Sequence, residues 1–332
     1  MKKNEMISYL LEAFFNKRMI AQMNASHHTI VSYSKTFQLL LKFASKRLKK
    51  KPSQLLLIDF NSKLISQFLD ELEKKRKICA QTRNTRLAAI RSFFYYLSTA
   101  LPEYGGLINE VLAIPNKRKT QKLINFLSEE EVKALLNAPD RKTWIGRRDH
   151  TFLVVAIQTG LRLSELINLK WNDVDLKKNH SIECIGKGRK KRITPLTEES
   201  INCLHNWSQE LNPLPSDSVF PTIHGRNMSA DTVQYLLNKY TKIAAKEFHT
   251  LKCKKVSPHV LRHTTAMRLL QSGVDLSVIA LWLGHESIKT TYIYLNADIA
   301  LKEKILKKLP SLKAQTSRFK SEDKTINFLK NL

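Results

Sequence analysis

The sequence predicts a mainly α-helical protein of two domains, with one small β-hairpin in the second. The chain has 332 residues, about twice the length of a typical domain. It contains only nine glycines and ten prolines, so turns should be few and helices should dominate. Apolar residues make up 42% of the chain and charged residues 26%. These fractions are close to globular averages and exclude a disordered or fibrous protein.

The first 115 residues carry apolar side chains at helical spacing in four successive stretches. The predicted helices span residues 1–20, 26–47, 61–77 and 81–99. We expect them to pack as a helical domain over residues 1–115. Residues 116–125 contain several cations and show no apolar periodicity, so they are predicted to be a basic interdomain linker.

The second predicted domain covers residues 126–310. Ser128 and Glu131 have the spacing of a capping box, which predicts a helix start. Residues 181–195 consist of two β-type runs around the basic segment GKGRKK, which predicts a hairpin with a basic tip. The remaining tail, residues 311–332, has enough apolar side chains for one short helix.

The charge balance points to a polyanionic partner. Lys and Arg number 56 against 29 Asp and Glu, which gives a net charge of +27. The excess is +15 over residues 1–125 and +12 over residues 126–332, so a single basic tail does not account for it. Nucleic acid is the commonest polyanion that such a surface binds.

Two other sequence features limit the class of protein. The four cysteines are far apart and form no CxxC pair, so we expect reduced thiols rather than a zinc ribbon or a disulfide framework. The amino-terminal apolar stretch is short and is interrupted by Glu5 and Glu12. We therefore expect no signal peptide, no membrane span and a cytoplasmic, nucleoid-associated location.

Polar side chains inside otherwise apolar helical segments are the candidate functional residues. Two arginines, two histidines and a tyrosine have this setting, namely Arg162, His259, Arg262, His285 and Tyr294. Burying such groups is costly unless a partner satisfies them. The guanidinium fork matches a phosphate group. In the alternative interpretation Arg162 pairs with Glu165 and the histidines are satisfied core groups.

The motifs GLRLSEL, GKG, HVLRHT, LGH and TTYIY occur in this order along the second half of the chain. Together they resemble the tyrosine recombinases of the phage-integrase type. The segments AAIRSFF and LGHES–TTYIYLNAD look most like recombinases carried by transposons and other mobile elements. The resemblance implies a SAM-like helical core-binding domain followed by a catalytic domain of the DNA breaking–rejoining fold.

The resemblance also implies a strand-transfer chemistry. Tyr294 would be the nucleophile that forms a 3′-phosphotyrosine, and Arg162 and Arg262 would hold the non-bridging phosphate oxygens. Lys187, at the hairpin tip, would protonate the leaving 5′-oxygen. The reaction would proceed through a Holliday junction, and it would need no ATP, metal ion or other cofactor.

Three further residues receive supporting roles from the resemblance. His259 would help to move the tyrosine proton, His285 would donate a hydrogen bond to the phosphate, and Glu165 would orient the arginine or histidine.

Several alternatives to these assignments stay open. Tyr292 lies two residues before Tyr294, and Lys190 and Lys191 compete with Lys187 as the acid. His259, His263 and His285 suggest a zinc site, but the sequence offers no fourth ligand at useful spacing and the arginines would repel a cation. The resemblance and the charge predict the DNA contacts Thr82, Arg83, Asn84, Arg86, Arg91, Lys117, Arg118, Lys119, Arg189 and Lys190.

The expected partners are double-stranded DNA recombination sites, a homotetramer on two synapsed duplexes and, as an option, accessory recombinases. Residues 311–332 would dock on a neighbouring protomer or form a disordered basic tail. Two other functions compete with the recombinase. One is a type IB topoisomerase, which relaxes supercoils without a second site, and the other is a DNA-binding accessory protein without catalytic activity.

Overall fold

The structure is a computed structural model that describes residues 5–118, 124–186 and 191–297. Its chain divides into two compact units, Met1–Gln121 and Lys122–Leu332. Within the described residues, every helix is too short or too polar to cross a membrane.

The first unit is a helical bundle around an aromatic core. Phe14, Phe37 and Phe93 pack edge to face at its centre, with ring centroids 5.3–6.2 Å apart. The sequence expectation of four successive helices is confirmed, although the first is divided. A π-helical segment, Phe14–Gln22, continues from α1. The α-helices are α1 Ile7–Ala13, α2 His27–Leu48, α3 Ser62–Arg76, α4 Ala80–Ala100 and α5 Gly105–Leu112.

Side-chain caps explain where the helices of the first unit begin. The side chain of Ser26 accepts a hydrogen bond from the Thr29 N–H at the start of α2. Asn61 accepts one from the Leu64 N–H at the start of α3. Such caps satisfy backbone donors that have no partner inside the helix.

The second unit is a helical domain with a three-stranded antiparallel sheet at its edge. The predicted hairpin is confirmed, because Glu183 pairs with Ile193 in register between its strands. Residues 187–190, which include Lys187, Arg189 and Lys190, lie outside the described residues. The strands are β1 Val174–Asp175, β2 Ser181–Ile185 and β3 Lys191–Pro195, in the order β1-β2-β3.

Eight α-helices accompany the sheet in the described part of the second unit. The predicted capping box is present, since Ser128 and Glu131 cap each other's backbone at the start of the first of these helices. They are α6 Glu129–Asn137, α7 Trp144–Thr159, α8 Leu163–Ile167, α9 Glu198–Leu211, α10 Ala230–Ala244, α11 Pro258–Gln271, α12 Leu276–Leu283 and α13 Tyr292–Ala297. The core of the unit lies between α6, α7, α10 and α11.

Helix α7 is separated from α8 by a turn that begins at Gly160. Gly160 ends α7 with φ +64°, a left-handed conformation that glycine adopts without steric cost. The chain then turns into α8, and this turn exposes the Gly160 carbonyl to the neighbouring helix α11.

Candidate active site

Two arginines are anchored to consecutive carbonyl groups at the end of α12. Arg162 Nη2 donates to the Gly284 carbonyl at 2.6 Å, and Arg262 Nη2 donates to the Leu283 carbonyl at 2.5 Å. Arg262 Nη1 also donates to the Gly160 carbonyl at 2.7 Å. Carbonyl groups at a helix carboxyl end carry partial negative charge, so they favour a cation at this position. These bonds bring together residues that lie 122 and 21 positions apart in the sequence.

Glu165 binds two of the arginines at once. Its carboxylate accepts from Arg162 Nη1 at 3.0 Å and from both Nη atoms of Arg192 at 2.8 and 2.7 Å. It also accepts from the backbone N–H of Arg162 at 2.6 Å, which caps α8. Burial alone would raise the pKa of Glu165, but the hydrogen bonds from Arg192 and Arg162 outweigh it and hold the pKa below its ordinary value. Glu165 is therefore a carboxylate at neutral pH.

The glycines beside this cluster allow the close approach of Arg192. Gly284 has φ +64°, and an added Cβ there would lie 2.9 Å from Arg192 Nη1. A Cβ on Gly186, at the end of the described part of the hairpin, would lie 3.4 Å from both Arg162 and Arg192. Arg192 thus connects strand β3, the start of α8 and the turn that follows α12.

Tyr294 is buried, with 1% of its surface exposed. Its phenol oxygen lies 3.0 Å from Nδ1 of His263. Its ring stacks on the His285 ring, with centroids 6.5 Å apart and planes within 11°. His285 Nδ1 lies 2.8 Å from Thr291 Oγ1. The tyrosine is held between two imidazole rings.

The protonation states in the site follow from burial and from the arginines. Burial raises the pKa of Tyr294 to about 12, although Arg262 opposes this shift. Burial and the neighbouring cations lower the pKa of His285 to about 4. Burial, Arg162 and Arg192 lower the pKa of Arg262 to about 10. At neutral pH the phenol and the imidazole are neutral and the guanidinium group is charged.

The structure brings together most of the residues predicted from the sequence. Arg162, Glu165, Arg262, His285 and Tyr294 form one connected cluster through the contacts above. His259 lies on the first turn of α11 and is exposed.

The alternative residues at the site have different surroundings. Tyr292 is 48% exposed, unlike Tyr294. Lys191 forms an exposed ion pair with Glu183 at 2.6 Å. Lys187 and Lys190 lie outside the described residues. Within residues 5–118, 124–186 and 191–297, no group of three or more His, Cys, Asp or Glu side chains is arranged to hold a metal ion.

Sequence reasoning missed two contributors to the cluster. Arg192 was not singled out, and His263 was considered only as a zinc ligand. Strand alternation was the available signal for Arg192, because it shares a face of β3 with the buried Thr194. Helical spacing was the signal for His263, which lies one turn after His259.

The residues predicted to contact DNA in the first unit make contacts within that unit. Arg83 is 5% exposed and lies 3.6 Å from the Glu73 carboxylate. Asn84 exchanges two hydrogen bonds with the backbone of Lys117, at 2.8 and 3.0 Å. Lys117 Nζ also donates to Glu73 at 2.6 Å. These bonds attach the segment around residue 117 to α3 and α4.

The other predicted DNA contacts of the first unit vary in exposure. Arg86 donates to Thr36 Oγ1 at 2.8 Å, and Arg91 donates to the Ile114 carbonyl. Thr82 is half-buried with its hydroxyl 3.4 Å from Cys79 Sγ, whereas Arg118 is exposed. Lys119 lies outside the described residues. DNA contact by these residues stays a prediction.

Comparison with known proteins decides the family. The Phage integrase family profile matches residues 125–300, and that of the phage-integrase N-terminal SAM-like domain matches residues 11–100. The y4rC protein of Sinorhizobium fredii is 49% identical over 332 residues, which is 100% of both chains.

The chain belongs to the phage integrase family.

Other relatives of this integrase-family chain are tyrosine recombinases. XerD of Pseudomonas putida is 36% identical over 213 residues, or 63% of this chain and 68% of XerD. XerC of Pelotomaculum thermopropionicum is 30% identical over 296 residues, or 86% of this chain and 93% of XerC. Membership in this family identifies the chain as a tyrosine-type recombinase that acts in site-specific DNA recombination.

Solved structures agree on the fold. XerH in a post-cleavage complex with its difH substrate has a TM-score of 0.70 at 23% identity, covering 91% of this chain and 84% of that chain. The Tn1549 transposon integrase with circular-intermediate DNA has a TM-score of 0.67 at 17% identity, covering 90% and 99%. The predicted fold class, a SAM-like helical domain followed by an integrase catalytic domain, is confirmed.

Proposed function

We propose that this integrase-family chain cuts and rejoins DNA strands through a 3′-phosphotyrosine intermediate and a Holliday junction, to integrate, excise or transpose a mobile element. The observation that carries the proposal is the convergence of Tyr294 with Arg162 and Arg262. The arginines are fixed on the Leu283 and Gly284 carbonyls, and the next residue, His285, stacks on Tyr294. A nucleophile beside two phosphate-binding groups is what phosphoryl transfer requires.

In the proposed reaction the Tyr294 oxygen attacks a DNA phosphorus atom. The new O–P bond forms as the bond to the 5′-oxygen breaks. The phenol proton leaves to solvent with the help of the exposed His259, and Lys187 gives its proton to the leaving 5′-oxygen. Arg162 and Arg262 hold the two non-bridging oxygens and neutralise the charge that builds on them. One preorganised donor of this kind stabilises the transition state by about 3–4 kcal/mol.

The remaining roles follow from position. Glu165 fixes Arg162 by the two bonds described above, and His285 faces the phosphate from the end of α12. The exposed His259, on the first turn of α11, helps to carry the phenol proton away, as the family resemblance implies. Because the guanidinium groups supply positive charge and the phosphotyrosine stores the energy of the broken bond, the reaction needs neither a metal ion nor ATP.

The proposed partners are two duplex recombination sites held by four protomers. Relatives in complexes with their DNA substrates support the duplex as a partner. Accessory recombinases, and docking of residues 311–332 on a neighbouring protomer, belong to the same proposal. Acting on chromosomal DNA would place the chain at the nucleoid.

The test is a covalent trap on DNA. Duplexes would carry the ends of the genetic element that encodes the chain, with a nick moved one nucleotide at a time. Cleavage near the nick releases a short fragment that diffuses away, so the phosphotyrosyl adduct accumulates on a denaturing gel. A magnesium chelator would be present throughout.

We expect an adduct that Tyr294→Phe abolishes and Tyr292→Phe preserves. An adduct abolished only by Tyr292→Phe would move the nucleophile by two residues. Tight, specific DNA binding without any adduct would favour the accessory protein. Relaxation of supercoiled plasmid that lacks the element ends would favour a topoisomerase.

A further inference from the structure

The group that contacts the phenol oxygen of Tyr294 is His263, rather than the His259 implied by the family motif. His263 Nδ1 lies 3.0 Å from that oxygen, and the two rings meet edge to face with centroids 5.6 Å apart. His263 lies on α11 immediately after Arg262, whereas Tyr294 lies on α13. The contact therefore fixes the only hydroxyl group of the nucleophile against the helix that carries a phosphate-binding arginine.

The rest of the tyrosine is also restrained. His285 stacks on its ring, and Thr291 holds His285 through Nδ1 at 2.8 Å. Thr291 is fully buried. Stacking restrains the plane of the ring but does not direct its oxygen, so the direction of the oxygen depends on His263.

The charge states define what His263 can do. Burial, His259 and Arg262 lower the pKa of His263 to about 4, and burial raises that of Tyr294 to about 12. Both side chains are neutral at neutral pH. An imidazole protonated at Nε2 accepts at Nδ1, and the phenol is the available donor. Because the two pKa values lie far apart, the proton stays on the phenol until the O–P bond forms.

We propose that His263 is the positioning residue of the nucleophile, accepting the Tyr294 O–H at Nδ1 and thereby aiming the phenol oxygen. This role rests on the proposed function of Tyr294. It leaves the exposed His259 to carry the phenol proton onward to solvent.

The experiment replaces His263 with alanine, asparagine and glutamine in the full chain. Asparagine places an acceptor oxygen close to the position of Nδ1, whereas glutamine places one close to Nε2. The nicked duplexes described above measure the rate of adduct formation, and fluorescence anisotropy on intact duplexes measures DNA affinity. His150→Asn is the matched control, since His150 is a buried histidine of the same unit whose Nδ1 donates to the Leu136 carbonyl.

We expect DNA affinity to change less than about twofold in all variants. A misplaced nucleophile costs about a hundredfold in rate, so His263→Ala and His263→Gln should each form adduct about a hundredfold more slowly. His263→Asn should stay within about tenfold of the unaltered chain, and His150→Asn within about twofold. If the alanine variant does not fold, the ratio between asparagine and glutamine decides.

Wild-type rates in His263→Ala or His263→Gln would overturn the proposal. Equal losses in the asparagine and glutamine variants would also overturn it, because the imidazole would then act in another way. The proposed function fails separately, if the unaltered chain forms no adduct that depends on Tyr294.

Discussion

Arg192 donates two hydrogen bonds to the carboxylate of Glu165, at 2.8 and 2.7 Å. Their side chains are only 11% and 5% exposed. The pair joins strand β3 of the hairpin to the residue that caps α8 and holds Arg162. In the sequence, Lys187 lies between the two strands of this hairpin, outside the described residues. Arg192 is therefore linked to two proposed catalytic residues, to Arg162 through Glu165 and to Lys187 along the chain.

Replacing Arg192 with glutamine should destabilise the second unit. Removing one partner from a buried ion pair costs at most about 3–5 kcal/mol. Glu165 would lose its bidentate partner but would keep its bonds from Arg162. The four tryptophans, Trp144, Trp171, Trp207 and Trp282, all lie in this unit, so their fluorescence during urea unfolding measures the effect.

The control for Arg192 is an exposed pair with similar geometry. Arg147 donates to both oxygens of Glu210 at 2.7 and 2.6 Å, and its side chain is 39% exposed. Exposed pairs contribute at most about 1 kcal/mol. Equal urea midpoints for Arg147→Gln and Arg192→Gln would show that the buried Arg192–Glu165 pair stabilises the unit no more than the exposed pair does.

A methyl group at Gly284 should disturb the arginine cluster. Its left-handed backbone disfavours alanine by about 1–2 kcal/mol. The added Cβ would also lie 2.9 Å from Arg192, which should cost about 1–3 kcal/mol more. Gly273→Ala is the control, since Gly273 has φ +85° and no atom within 4 Å of an added Cβ. Urea unfolding should separate the two variants, and indistinguishable midpoints would contradict the close approach.

The stability of the second unit should fall as the pH drops from about 6.5 toward 4. His263 and His285 have folded-state pKa values of about 4, below the value of about 6.5 for an unfolded histidine. In this window the unfolded chain binds protons that the folded chain does not, so acid favours unfolding. Urea midpoints across this pH range measure the slope. His285→Gln should have a shallower slope, and an unchanged slope would mean that His285 has the same pKa in the folded and the unfolded chain.

DNA binding should depend on the exposed cations of the first unit rather than on the buried ones. Arg118 is exposed, so Arg118→Gln should reduce the slope of log affinity against log salt by about one, the change for one phosphate contact. Asn84→Ala should instead loosen the segment around Lys117, because the Asn84 side chain holds the Lys117 backbone by two hydrogen bonds. Anisotropy titrations at several salt concentrations test this. If Arg118→Gln has the same slope of log affinity against log salt as the unaltered chain, Arg118 does not contact the DNA.

The helices and the hairpin could be predicted from sequence because their signals are local. Apolar spacing defined α2, α3 and α4 within a few residues, and Ser128 with Glu131 marked the start of α6. The division of the first helix was missed, since nothing in its spacing distinguishes a π-helical continuation such as Phe14–Gln22 from an α-helix.

The site could be predicted only as far as its motifs extend. The motifs identified Arg162, Arg262 and Tyr294, but the contact of Tyr294 with His263 depends on how α13 packs against α11. The burial of Arg83 depends likewise on the segment that covers α4. Periodicity can place His263 on the same face of α11 as His259, but it does not reveal which residue of another helix packs against that face.

The arginine cluster also determines how many charges the site can accept. Within its described part, the cluster holds three guanidinium groups, of Arg162, Arg192 and Arg262, and the carboxylate of Glu165, which binds the first two. Repulsion from Arg162 and Arg192 contributes to the lowered pKa of Arg262. Two positive charges are therefore in excess. A phosphodiester carries one negative charge, whereas a five-coordinate phosphorus carries two. In the proposed reaction, the electrostatic balance of the cluster would therefore be completed by the five-coordinate species that forms once the phenol proton has left, and only half completed by intact DNA.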